Sequence, residues 1–109
     1  MAFVQAAVVS DLADGKCKKV KAGKQEIFLA RIGGSFYAMS NICPHLGGTL
    51  SEGTMADGII TCPLHGSKYD VKTGKNVGGA IIGSKIVAVA DNRGYAVKVD
   101  GNDVLVDVG

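Results

Sequence analysis

Cys43-Pro44-His45 and Cys62-Pro63-Leu64-His65 constrain this chain more than anything else in it. Each segment offers one thiolate and one imidazole in the same order, and sixteen residues lie between His45 and Cys62. The chain has three cysteines and two histidines, and four of those five residues fall in this pattern. Thiolate and imidazole are transition-metal donors, so the fold must bring two separate loops to one point. The chain's two prolines, Pro44 and Pro63, each follow a candidate cysteine directly. Proline removes a donor and stiffens the loop, which helps the remaining N–H groups to point at sulfur.

Turn signals divide the rest of the chain into short strands. Residues 26–32 and 35–40 flank Gly33-Gly34, a two-residue hairpin connection. Residues 55–57 lead through Gly58 into 59–62, and 85–90, 95–100 and 103–108 alternate apolar with polar positions. Sixteen glycines, about twice average usage, suit tight turns and close backbone approaches. Helical spacing is not sustained in any window, although 8–13 predicts one helical turn. The reading is all-β. A length of 109 residues predicts a single domain, 1–109. From about 41 to 77 the pattern becomes two loops around a central hairpin, a small subdomain set between strands of a larger sheet.

A net charge of +2 is too small to argue for a nucleic-acid partner. The longest stretch without a polar side chain, 77–83, falls far short of the about 20 residues of a membrane span. Lysine and arginine are absent before Lys16, so no secretory signal is expected. The expected location is cytoplasmic, without a membrane anchor. Cys17 stands outside the metal pattern, between Lys16 and Lys18. Nearby positive charge would lower its pKa and make it reactive; the plainer reading is an ordinary thiol on a strand. Lys16, Lys18, Lys19, Lys21 and Lys24 read as a solvated strand-and-turn face.

The pattern C-x-H…C-x-x-H at this separation resembles the Rieske iron–sulfur family. There, two cysteines hold one iron of a [2Fe–2S] cluster and two histidines hold the other. The resemblance covers essentially the whole chain and implies an antiparallel β-sheet base carrying an inserted two-loop cluster-binding subdomain. It implies Cys43, His45, Cys62 and His65 as ligands. Two ferric ions and two sulfides leave two positive charges, which two thiolates neutralise; neutral imidazoles thereby raise the potential above that of an all-cysteine cluster. Leu46 and Leu64 are apolar neighbours of the imidazoles, and Gly66 lets the backbone close to the cluster. Structural zinc is the rival, since two cysteines and two histidines also suit it, but the one-residue step from Cys43 to His45 is awkward for a single tetrahedral ion.

His65-Gly66-Ser67-Lys68-Tyr69 is similar to the H-G-S-x-Y of high-potential Rieske proteins. There the serine hydroxyl bonds a bridging sulfide and the tyrosine hydroxyl a cysteine sulfur. Other positions depart from that subgroup. Its loop-to-loop disulfide would need cysteines where this chain has Gly48 and Leu64, and its Gly-Pro-Ala lid is Gly78-Gly79-Ala80 here. The mixture resembles a soluble Rieske-type ferredoxin. The resemblance implies a monomeric one-electron carrier, taking electrons from a reductase, expected to be flavin-dependent, and passing them to a terminal oxygenase or another oxidoreductase. The alternatives are a permanent small subunit of a larger oxidase and a zinc-stapled binding module. No nucleophile–base pair or nucleotide fingerprint points to catalysis by the chain itself.

Overall fold

The computed structural model describes residues 2–42, 49–63, 66–82, 85–87 and 91–108. These form β1 (Phe3–Val8), a 3₁₀ turn (Val9–Asp11), β2 (Cys17–Ala22), β3 (Gln25–Ile32) and β4 (Ser35–Ser40). A second 3₁₀ turn (Leu50–Glu52) precedes β5 (Thr54–Ala56), β6 (Ile59–Thr61), β7 (Lys68–Asp70) and β8 (Asn76–Gly78). The chain continues through β9 (Ala80–Ile82), β10 (Lys85–Val87), β11 (Gly94–Tyr95), β12 (Val97–Asp100) and β13 (Asp103–Asp107). The all-β reading is correct.

Two sheets make the base. One has the order β11-β4-β3-β2 and the other β1-β13-β12, all neighbours antiparallel. The predicted hairpin turns at Gly33-Gly34, where φ is 60° and 83°; two successive left-handed residues match the twist of the flanking strands, and glycine adopts them without strain. A separate four-stranded sheet, β5-β6-β7-β8, is set between β4 and β11 in the chain, and β9 pairs with β10.

β3 connects these bodies. Its run Ile27-Phe28-Leu29-Ala30 is buried on both faces. Successive side chains of a strand point to opposite sides. Ile27 and Leu29 accordingly enter the base core with Val20, Phe36, Val104 and Val106. Phe28 and Ala30 enter a second core with Met39, Leu50, Ile60, Cys62, Tyr69 and Val71. The small sheet therefore packs on the outer face of the base sheet.

Several expectations shift at their edges. The predicted strand 95–100 is broken at Ala96, because Tyr95 pairs with Ala38 of β4 while Val97 pairs with Val106 of β13: the chain changes sheets there. The predicted helical turn is the 3₁₀ turn Val9–Asp11, where the Val8 N–H donates to the Asp11 carboxylate at 3.0 Å. Lys85–Val87 forms the start of the predicted 85–90 strand, and 88–90 lie outside the described residues. β1 was not foreseen; its Phe-Val-Gln-Ala-Ala-Val sequence does not alternate, and its register on β13 shifts between Gln5 and Ala7.

Candidate metal centre

The first candidate loop leaves β4 through Asn41 and returns at Leu50, and its neck is closed by four contacts. The Asn41 N–H donates to the Glu26 carbonyl of β3 at 3.4 Å, and the Leu50 N–H to the Asn41 carbonyl at 2.9 Å. The Ser51 N–H donates to Asn41 Oδ1 at 2.9 Å, and Ile42 bridges Thr49. Cys43, His45 and Leu46 belong to the stretch beyond this neck and lie outside the described residues.

The second loop joins β6 to β7 and is closed more tightly. The Cys62 N–H donates to the Ser67 carbonyl at 2.8 Å, and the Gly66 N–H to the Cys62 carbonyl at 3.0 Å. Gly66 has φ 72°. Leu64 and His65 lie outside the described residues. Pro63 is exposed, whereas Cys62 is 2% exposed and Ser67 and Tyr69 are fully buried.

The two necks meet. Leu50 packs in the same core as Cys62 and Tyr69, and Gly53 runs so close to Thr61 that a Cβ there would collide with the Thr61 carbonyl. The far end of the small sheet is held as well: buried Asn92 donates through Nδ2 to the Ser40 carbonyl at 2.9 Å, and its N–H donates to the Gly74 carbonyl at 2.7 Å. The fold thus brings Cys62, Gly66, Ser67 and Tyr69 beside the base of the loop that bears Cys43 and His45.

This neck suits an electron-rich group. Cys62 supplies a buried sulfur donor, and the nearby hydroxyls and amides are groups able to donate. Asn41, fully buried, has Nδ2 without a hydrogen-bond partner among the described residues. A buried donor of this kind matches a partner rich in acceptors, as thiolate and sulfide are.

Cys17 is corrected. It sits half-buried on β2 against the second core with Ile32, Tyr37 and Met55, and burial pushes its thiol pKa up rather than down. The strand reading was right. Adjacent residues of a strand face opposite ways, so Lys18 is exposed while Cys17 turns inward. Lys19 and Lys21 are also exposed, and Lys19 pairs with Glu26 at 3.4 Å, a contact worth little at the surface. Among the described residues no helix is long and apolar enough to cross a membrane.

Residues 2–89 match the model of the Rieske [2Fe–2S] domain. The ferredoxin component of biphenyl 2,3-dioxygenase from Rhodococcus jostii (strain RHA1) is 34% identical over 108 residues, covering 99% of this chain and 94% of that protein. The ferredoxin of carbazole 1,9a-dioxygenase from Nocardioides aromaticivorans IC177 superposes with a TM-score of 0.81 at 31% identity, over 97% of each chain. A complex of reduced oxygenase and oxidized ferredoxin in carbazole 1,9a-dioxygenase contains a chain matching at TM-score 0.77 and 28% identity, over 95% of this chain and 91% of that one. The chain belongs to the Rieske [2Fe–2S] domain family. Its cofactor is a Rieske-type [2Fe–2S] cluster, which sets the zinc alternative aside.

Proposed function

We propose that this chain is a one-electron carrier, not itself an enzyme, that takes electrons from a flavin-dependent reductase and delivers them to a terminal oxygenase. Its ligands are Cys43 and Cys62 on one iron and His45 and His65 on the other. Residues 41–77 form the cluster-binding part of one domain, 1–109, working as a cytoplasmic monomer. The observation that carries the reading is the meeting of two closed loop necks at buried Cys62; the ferredoxin relatives named above support it.

When bound, the cluster supplies a reversible one-electron couple. The chain's own residues do the rest. Cys62, held by its N–H to Ser67 and its carbonyl to Gly66, would present its sulfur from a closed turn. Leu50, Ile60 and Val71 keep water from that side. Ser67 and Tyr69 bring hydroxyls that donate to sulfur and favour the more negative, reduced state.

The test is direct. Purified protein is expected to contain two iron and two sulfide per chain and, after dithionite reduction, an electron paramagnetic resonance signal from the cluster. Cys43→Ser, Cys62→Ser, His45→Ala and His65→Ala should each abolish or severely weaken cluster assembly. A variant with an unchanged visible spectrum removes that residue from the ligand set. Gel filtration of native extracts distinguishes a free carrier, eluting near the chain's 11.2 kDa, from a permanent small subunit of an oxidase.

A further inference from the structure

Asn41 is fully engaged at the neck apart from one atom. Its N–H, carbonyl and Oδ1 bond to Glu26, Leu50 and Ser51. The Ser51 N–H also fixes which end of the amide is which, because a flipped side chain would set two donors against each other. Nδ2 is therefore the donor end, buried, and without a partner among the described residues. Buried donors are rarely left unmatched, since burial strips their water. The loop that carries the proposed ligands Cys43 and His45 begins directly after this neck.

We propose that Asn41 Nδ2 donates a hydrogen bond to a sulfur of the loaded centre and so raises its potential. Sulfur in thiolate or sulfide form accepts and cannot donate, which is what an orphaned amide N–H requires. The bond strengthens as negative charge accumulates on reduction, so it favours the reduced state. Asn41 therefore does two jobs: Oδ1 holds the neck closed through Ser51, and Nδ2 tunes the electron affinity. The inference rests on the ligand set proposed above.

The test uses whole protein carrying ¹⁵N in its asparagine side-chain amides, reduced and examined by pulsed electron paramagnetic resonance. The chain has four asparagines. Asn76 Nδ2 is committed to the Lys68 and Gly78 carbonyls and Asn92 Nδ2 to that of Ser40, while Asn102 is exposed at the turn between β12 and β13. A ¹⁵N coupling to the cluster is expected in the wild type and absent in Asn41→Ala. In that variant the redox equilibrium should shift about tenfold toward the oxidised form, about 59 mV for one electron. A reduced-cluster signal without ¹⁵N coupling overturns the inference and leaves the ligand set standing. If Asn41→Ala does not assemble, the wild-type coupling alone decides. A preparation with no cluster signal on reduction overturns the ligand set and this inference with it.

Discussion

Ser67 and Tyr69, two residues apart and both sealed from solvent, are two further side chains on which the potential should depend. If each hydroxyl favours the reduced state by about 1–2 kcal/mol, removal costs roughly 40–85 mV at about 59 mV per 1.4 kcal/mol for one electron. Ser67→Ala and Tyr69→Phe should each lower the midpoint potential by that amount in voltammetry, with the visible spectrum retained. Shifts under about 15 mV, worth only ~0.35 kcal/mol, would mean that the hydroxyls do not reach sulfur. Cys17 gives a prediction of opposite kind. With its pKa raised by burial, it should alkylate more slowly at neutral pH than a cysteine in a short peptide, read by peptide mass spectrometry, and faster in the alkaline range. A raised folded-state pKa means that the unfolded chain loses its proton first. That contribution is therefore whole below the unfolded pKa and disappears as pH rises through the folded one. The proposed metal donors stand out in the sequence because Cys and His are scarce and chemically singular. Asn41 does not, because an asparagine before a loop reads as a turn residue, and only the fold shows it buried with one hand empty.

Among the elements, the hairpins announced themselves and the sheet changes did not. Gly33-Gly34 and Asp57-Gly58, with φ 53° at Asp57, are signals written in residue types that tolerate the left-handed region. β1 and the break at Ala96 depend on which sheet a strand joins, and that is decided by partners far along the chain. The approach of Gly53 to Thr61 is of the same tertiary kind, and it locks the exit of the first loop against the strand entering the second. Gly53→Ala forces a methyl into the Thr61 carbonyl. It should destabilise the fold by roughly 2–3 kcal/mol, the upper part of the overpacking range, read as a lower urea midpoint with unchanged slope.

Across the whole molecule, the two cores predict how the protein responds to loss of metal. Cluster binding is linked to folding, so iron removal should lower the melting temperature, and hydrogen exchange should show where. The amides of Leu50, Ser51, Cys62 and Gly66, which close the loop necks, should lose protection. Those pairing β13 with β1 and β12 should keep theirs. Uniform loss would mean that the cores melt together. The all-β architecture was readable from turn spacing, as was the hairpin of β5 and β6; that β7 and β8 extend it to four strands was not. The double burial of β3 was not read from the sequence, because it depends on a second core assembled from residues far along the chain. That double burial bears on transplanting the centre into another scaffold. A graft cut at 41 and 77 would leave behind Phe28, Ala30 and Met39, the floor on which Cys62 and Tyr69 rest. The portable unit begins at β3, and the host must tolerate a strand whose other face demands a core of its own.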